Sequence, residues 1–149
     1  MKIAIGSDHR GYEMKKRLVA LMESLGHHVT DVGTQDNESV DYPDFAYVVA
    51  RQVGDRDVDR GILMCGTGLG MCIAANKIRG VRAVTCQDTV SAEMSRRHND
   101  ANVLCLSADL TGEDRMEQMV RIWLSTEFEG GRHARRVDKI GRIENGEGI

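Results

Sequence analysis

The stretch RGILMCGTGLGMCIAANKI, residues 60–78, joins a short apolar run to a glycine-rich turn and a second apolar segment. Residues 60–65 form a short, largely apolar run that ends at a glycine, which is typical of a strand buried on both faces. The segment from Gly68 onward predicts a helix that begins at the turn. A strand that passes through a tight turn into a helix is the repeating unit of a parallel sheet.

The same alternation extends along the rest of the chain in both directions. Predicted strands cover residues 2–7, 28–32, 60–65, 81–86 and 102–107, and predicted helices cover residues 11–25, 41–53, 68–78, 89–97 and 112–126. This order predicts an α/β fold in which helices cover both faces of a five-stranded parallel sheet. The 149 residues are expected to form one domain, 1–149.

The segment after Gly130 and Gly131 has a different composition. It is rich in basic residues and carries Val137, Ile140 and Ile143 at helical spacing. This narrow apolar stripe predicts a C-terminal helix over about residues 130–145 that packs outside the main sheet, against a partner subunit. Residues 146–149 are expected to fray.

Charge and cysteine content argue against several classes of protein. Lys and Arg total 20 and Asp and Glu total 23, so a net charge of -3 does not favour a general binder of nucleic acid or of anionic membranes. No apolar run approaches the ~20 residues that cross a bilayer. No signal-peptide core is present, so we expect a cytoplasmic protein. The four cysteines form no C-x-x-C pair, which argues against zinc sites and a disulfide framework.

Polar side chains lie where predicted strands end, which is where open α/β sheets bind ligands. Asp8 and His9 follow the first strand, and Cys65 ends the third. His98 and Asn99 precede the fifth strand, and we expect them to converge on the same rim. A role for His98 as a helix C-cap is equally open, and His9 is as compatible with a structural role as with a functional one.

The loop CGTGLG, residues 65–70, has two interpretations. Glycines that precede a helix let backbone N–H groups bind an anion at the positive end of the helix dipole. The alternative is a tight turn with only a structural role. The loop is neither a dinucleotide fingerprint, because Met71 stands where the third glycine would be, nor a Walker A loop, because no Gly-Lys-Ser/Thr follows.

Cys65 lies just before that helix, where the same dipole and N–H groups lower a thiol pKa. A thiol with a lowered pKa serves as a base or nucleophile. The alternative for Cys65 is an ordinary buried cysteine. Cys72, Cys86 and Cys105 lack this setting and are expected to be structural.

Basic residues also recur at the start of the predicted C-terminal helix. Arg132 and Arg136 are spaced i and i+4, so they share a face and are able to clamp one phosphate, with His133 beside them. A solvated basic face is the alternative.

Together these stretches closely resemble ribose-5-phosphate isomerase type B, of the family that includes the galactose-6-phosphate and allose-6-phosphate isomerases. The matching segments are IAIGSDHRGYEMK, DVGT, VDYPDFA, GILMCGTGLGMCIAANKIRGVRAV, SAEMSRRHNDANVL and FEGGRHARRV, which span nearly the whole chain. The resemblance implies a Rossmann-like α/β/α sandwich of three layers. It also implies a homodimer or homotetramer with active sites between subunits, a sugar phosphate substrate, and no metal or organic cofactor.

The resemblance further implies roles for individual residues. Cys65 is the expected base that moves a proton between C2 and C1, Thr67 supports it, and His98 opens the sugar ring. The residues expected to hold the cis-enediolate are Gly66, Gly68, Leu69 and Gly70. The residues expected to contact the remainder of the substrate are Asp8, His9 and Asn99, with Arg132, His133 and Arg136 at its phosphate.

Two positions bear on how far these roles carry over. Many members of the family have a phosphate-binding arginine where this chain has Asp109, and a carboxylate there is expected to repel phosphate. Some members use a glutamate a few residues after the cysteine position, but GMCIAAN has no carboxylate, so Cys65 is the only candidate base in the loop. The leading hypothesis is isomerisation of D-ribose 5-phosphate. Its alternatives are a six-carbon sugar phosphate isomerase, a non-catalytic sugar-phosphate-binding module and a cysteine hydrolase.

Overall fold

A computed structural model describes residues 1–149 as one five-stranded sheet with six helices. The strands are β1 (Lys2–Ser7), β2 (His28–Asp31), β3 (Arg60–Cys65), β4 (Ala83–Thr85) and β5 (Val103–Ser107). The helices are α1 (Tyr12–Ser24), α2 (Tyr42–Gly54), α3 (Leu69–Ala75), α4 (Thr89–Asn99), α5 (Glu113–Ser125) and α6 (Arg132–Glu144). Every predicted strand and helix is confirmed, although several end residues differ.

The largest difference is at α3, which was predicted to reach residue 78 and ends at Ala75. The side chain of Asn76 accounts for this early end. Its Nδ2 donates to the carbonyl oxygens of Cys72 at 3.0 Å and Ala83 at 2.9 Å, and its Oδ1 accepts from the Ala83 amide at 2.9 Å. These bonds tie the end of α3 to the start of β4, a contact that the periodicity of the sequence does not contain.

The sheet is wholly parallel, with strand order β2-β1-β3-β5-β4. From β1 the chain continues to β2 on one side, whereas from β3 it continues to β4 on the other. The connections that leave these two adjacent strands therefore diverge, and a crevice opens between their carboxyl ends. Such a switch point is the usual ligand-binding position in an open α/β sheet.

The strands carry apolar residues on both faces, as a sheet covered on both sides requires. On one face Ile62 and Met64 of β3 belong to a core shared with α1, α4 and α5. On the other face Leu63 and Cys65 belong to a core shared with α2 and α3. The predicted three-layer α/β/α sandwich is thereby confirmed.

Helix α6 packs against α4 and makes no layer of the sandwich. Ile140 and Ile143 on its apolar stripe are 44% and 58% exposed, so this stripe is not covered within the chain. Its proposed contact with a partner subunit stays a prediction. None of the helices combines the length and apolar character needed to span a bilayer.

A buried arginine joins the start of β3 to the end of α5. Nη1 of Arg60 donates to the carbonyl oxygens of Trp123 at 2.6 Å and Leu124 at 3.0 Å, and Nη2 donates to that of Thr126 at 3.3 Å. These are carbonyls that a helix end leaves without intrahelical donors. Burial lowers the pKa of Arg60 to about 10, which still leaves the side chain charged at neutral pH.

We predict that Arg60→Met lowers the free energy of unfolding by about 2–4 kcal/mol, because three carbonyls at a helix end lose their charged donor. The measurement is equilibrium denaturation in urea. Arg121→Met is the matched control, since Arg121 is an exposed arginine on α5 itself. Equal stability of the two variants would contradict the prediction.

Candidate active site

The crevice between β1 and β3 holds most of the predicted site residues, which we call the glycine-loop cluster: Asp8, His9, Cys65 and residues 66–70. The amide of Asp8 donates to the carbonyl of Met64 at 3.1 Å, which keeps the end of β1 against β3. The Asp8 side chain accepts from the amide of Arg10 at 2.9 Å, and Nδ1 of His9 accepts from the amide of Val40 at 3.3 Å.

Cys65 is the last residue of β3, and its sulfur lies under the turn that starts α3. The Gly68 amide donates to the Cys65 sulfur at 3.2 Å, and the Leu69 amide donates to the hydroxyl of Thr67 at 3.3 Å. The amides of Thr67 and Gly70 donate to no acceptor in the chain. The loop therefore offers N–H groups beside a thiol, an arrangement able to stabilise negative charge on a bound oxygen.

Two of the loop glycines are required by geometry. Gly68 has φ +77°, a left-handed conformation that favours glycine. A Cβ on Gly70 would lie 2.6 Å from Cζ of Tyr42, so the aromatic ring covers the loop at close range. Tyr42 was not identified from the sequence as part of the site, because a tyrosine at a helix start carries no signal of what it packs against.

His98 and Asn99 lie at the opposite edge of the sheet from Cys65, so the expectation that all polar groups meet on one rim is wrong. They end α4, which runs back from the carboxyl edge over 11 residues, or about 16 Å. Nε of Arg82, which precedes β4, donates to the Asn99 carbonyl at 3.1 Å. A loop that enters a parallel strand lies at the amino edge of the sheet, whereas a loop that leaves one lies at the carboxyl edge.

The start of α6 adds three residues to His98 and Asn99, and we call this group the histidine–arginine cluster: His98, Asn99, Arg132, His133 and Arg136. The rings of His98 and His133 stack, with centroids 4.2 Å apart and planes 3° from parallel. Nε of Arg132 lies 3.4 Å from Nε2 of His133. Arg132 and Arg136 are exposed on the first turns of α6, and their phosphate clamp stays a prediction.

Glu129 joins this cluster and was not identified from the sequence. Its Oε2 lies 3.4 Å from Nε2 of His133 and 4.0 Å from Nε2 of His98. Nε of Arg97 donates to Glu129 at 2.6 Å, and this bond lowers the pKa of the carboxylate. Burial, together with the charge of His98, lowers the pKa of His133. The potential metal-ligating atoms of His98, Glu129 and His133 lie within 4.8 Å of one another. The carboxylate of Glu129, however, is already hydrogen-bonded to the guanidinium of Arg97.

Cys72, which was predicted to be structural, is a thiol with a lowered pKa. Its pKa falls to about 6, chiefly through a hydrogen bond from the Cys105 thiol and also through bonds from Thr85 and Asn76. Cys105 itself is fully buried, and burial raises its pKa. Helix α3 therefore carries a second, half-buried thiol one turn beyond the glycine loop.

The largest cavity, of about 690 Å³, lies at the amino edge of the sheet and contains no residue of the glycine-loop cluster. Six arginines line it, but those nearest the sheet already have partners. Arg60 binds the carbonyls at the end of α5, while Arg82 and Arg96 each pair with Asp100, at 2.8 and 2.9 Å. We therefore place the candidate site in the crevice rather than in this cavity.

Known proteins resemble this chain over almost its full length. Residues 3–140 match a family model described as ribose/galactose isomerase. Ribose-5-phosphate isomerase B of Escherichia coli is 47% identical over 143 residues, covering 96% of each chain. D-erythrulose-4-phosphate isomerase of Pectobacterium atrosepticum is 42% identical, covering 99% of this chain and 97% of the relative. The structure of Clostridium thermocellum ribose-5-phosphate isomerase B is 53% identical, with a TM-score of 0.96 and coverage of 98% and 99%.

We predict that iodoacetamide modifies Cys72 in the folded protein, at a rate that rises with pH through about 6 as the thiolate forms and then levels off. Fragment-ion mass spectrometry distinguishes Cys72 from Cys65 on one peptide. Buried Cys105 is the internal control and stays unmodified until the protein unfolds. A rate for Cys72 that begins to rise only above pH 8 would show that its thiol is not acidified.

Proposed function

The chain belongs to the ribose/galactose isomerase family, and on that premise we propose that it interconverts D-ribose 5-phosphate and D-ribulose 5-phosphate with Cys65 as the base. The resemblance inferred from the sequence is confirmed, and the protein is a sugar-phosphate aldose–ketose isomerase. The observation that carries the proposed mechanism is the thiol of Cys65 at the switch-point crevice, beside free amides of the glycine loop.

An aldose–ketose isomerase moves one proton between C2 and C1 of an open-chain sugar. In the proposed reaction the Cys65 thiolate removes the C2 proton of the aldose, and the carbonyl oxygen becomes the oxygen of a cis-enediolate. The free amides of Thr67 and Gly70 are positioned to donate to that oxygen. A donor of this kind contributes roughly 3 kcal/mol of stabilisation to a developing oxyanion. The thiol then returns the proton to C1 while the hydroxyl proton on O2 passes to O1, which gives the ketose.

We further propose that a second copy of this chain completes each active site. The glycine-loop cluster and the histidine–arginine cluster lie at opposite edges of one sheet, so one small substrate does not reach both within a single chain. The exposed Ile140 and Ile143 on α6, close to the histidine–arginine cluster in sequence, supply an apolar surface for subunit contact. This arrangement supports the proposal of a homodimer or homotetramer with sites shared between subunits.

In the assembled site the histidine–arginine cluster of one subunit acts on the sugar bound in the crevice of the other. His98 is the proposed acid–base group that opens the sugar ring, with Asn99 beside it. Arg132 and Arg136, with His133, are the proposed ligands of the phosphate group. Asp8 and His9 are the proposed contacts to the sugar from the crevice side.

The main alternative within this class is a sugar phosphate substrate with a different number of carbon atoms. One relative is named for a four-carbon substrate, and the family description includes galactose. Comparing kcat/KM for ribose 5-phosphate, erythrulose 4-phosphate, allose 6-phosphate and galactose 6-phosphate separates these possibilities. Binding of all four without turnover would instead favour a non-catalytic sugar-phosphate-binding module, and a covalent substrate adduct on Cys65 would favour a cysteine hydrolase.

We predict that Cys65→Ala lowers kcat for ribose 5-phosphate by about 10³-fold, because the proton-transferring base is lost. Binding of inorganic phosphate, measured by calorimetry, is expected to be retained. Cys86→Ala is the matched control, since Cys86 is also a buried cysteine at a strand end. Full activity of Cys65→Ala would contradict the assignment of the base.

We predict that two inactive variants restore each other's activity when they share an oligomer. A mixed dimer of Cys65→Ala and His98→Ala chains has one site with both wild-type groups, so an equal mixture refolded together is expected to recover about a quarter of wild-type activity. Each variant refolded alone is the control. Absence of recovery, with mixed dimers confirmed by native mass spectrometry, would contradict the shared site.

A further inference from the structure

An ion pair between Arg10 and Asp109 lies at the mouth of the crevice. Nε of Arg10 donates to Oδ1 of Asp109 at 3.1 Å, and Nη2 of Arg10 lies 2.8 Å from Oδ2. Arg10 follows β1 and Asp109 follows β5, the two strands that flank β3 in the sheet. The pair therefore spans the end of β3, where Cys65 and the glycine loop lie.

The pair is in direct contact with the glycine loop. A Cβ on Gly66 would lie 2.7 Å from Oδ2 of Asp109 and 4.0 Å from Cγ of Arg10. The amide of Asp109 also donates to the Gly66 carbonyl at 3.0 Å, which fixes the aspartate beside the loop. The guanidinium of Arg10 is thus held within the proposed site, one residue from His9.

Stability does not account for this pair. The side chains of Arg10 and Asp109 are 55% and 35% exposed, and exposed ion pairs contribute little to folding. The two parallel contacts of Arg10 with Asp109 fix the orientation of the guanidinium plane. An arginine side chain has five N–H donors. In Arg10 no acceptor in the chain binds the donors on Nη1, so these N–H groups stay available to a ligand.

The charges at the crevice also favour a cation at this place. Asp8 and Asp109 are both carboxylates, so without Arg10 the mouth of the crevice would repel an anionic substrate. Nη2 of Arg10 lies 2.8 Å from Oδ2 of Asp109, so in this structure an arginine balances the carboxylate that is expected to repel phosphate.

We propose that Arg10 is a substrate-binding residue that contacts the phosphate group of the sugar phosphate, and that Asp109 is the positioning residue that holds its guanidinium over the glycine loop. The identity of the ligand rests on the proposed function. In this arrangement the dianion is shared between Arg10 of the crevice and the arginines that α6 of the partner subunit supplies.

The test is a cycle of four variants assayed for KM, kcat and inhibition by inorganic phosphate. Arg10→Ala is expected to raise KM and the phosphate inhibition constant about tenfold, with kcat changed less than about threefold, because ground-state and transition-state binding of phosphate are lost equally. Arg10→Lys keeps the positive charge but loses the planar guanidinium. Its KM and phosphate inhibition constant are expected to lie between those of wild type and Arg10→Ala. Asp109→Ala is expected to raise KM about threefold through loss of orientation.

The double variant Arg10→Ala, Asp109→Ala gives the most specific outcome. Its KM is expected to lie below that of Arg10→Ala, because the unbalanced carboxylate is removed along with the arginine. Removing Asp109 is thus expected to raise KM when Arg10 is present and to lower KM when Arg10 is absent. An ion pair with only a structural role does not produce this reversal.

Arg17→Ala is the matched control. Arg17 is a partly exposed arginine that pairs with Glu113 and Glu117 on α5, away from the crevice, and its removal is expected to leave KM unchanged. Thermal melting of every variant reports any loss of folded protein separately. A KM for Arg10→Ala within twofold of wild type, or a change confined to the melting temperature, overturns the proposal.

Calorimetry with inorganic phosphate separates this proposal from the proposed function, because it needs no turnover. If wild type turns over none of the sugar phosphates but binds phosphate, and Arg10→Ala does not, the proposed function fails and the role of Arg10 stands. If wild type turns over ribose 5-phosphate and Arg10→Ala binds phosphate equally well, only the role of Arg10 fails. A wild-type chain that does not bind phosphate overturns the role of Arg10.

Discussion

The reversal of strand order between β1 and β3 is the constraint on which the rest of this molecule depends. Because all five strands are parallel, every loop that leaves a strand lies at the same edge of the sheet, and only at this one pair do the connections diverge. Asp8, His9 and Cys65 thus lie at the one pair of strand ends where the connections diverge. The glycine loop then brings its amides to the same place, because β3 passes into α3 without a longer connection.

The second consequence of the topology is that one chain holds its two clusters of polar side chains at opposite edges of the sheet. Helix α4 carries His98 and Asn99 away from the carboxyl edge, and α6 packs beside them rather than over the crevice. The stacked rings of His98 and His133, with Glu129 and Arg97, form a preorganised group whose proposed substrate lies on another subunit. In this view oligomerisation is a requirement of the chemistry and not only a source of stability.

Charge in the crevice is balanced by side chains that are far apart in sequence. Arg10 and Asp109 are separated by 99 residues and meet over Gly66. The chemistry of the thiols is set in the same way. Cys72 and Cys105 look alike in the sequence, yet burial raises the pKa of one while the hydrogen bond between them lowers the pKa of the other. Neither residue was distinguished before its neighbours in space were known.

The sequence by itself determined the alternation of strands and helices, the three-layer class and the strand-end position of Cys65, because these follow from local periodicity and from glycines that only certain turns require. Its motifs also identified the family. Only the tertiary structure decided which strand ends are neighbours, that His98 lies at the other edge, that α3 ends at Ala75, and that Arg10 faces Asp109. The physical reason is that side-chain periodicity records which face of an element is buried. The order of strands in the sheet, which decides what each side chain meets, arises from contacts between residues distant in the chain.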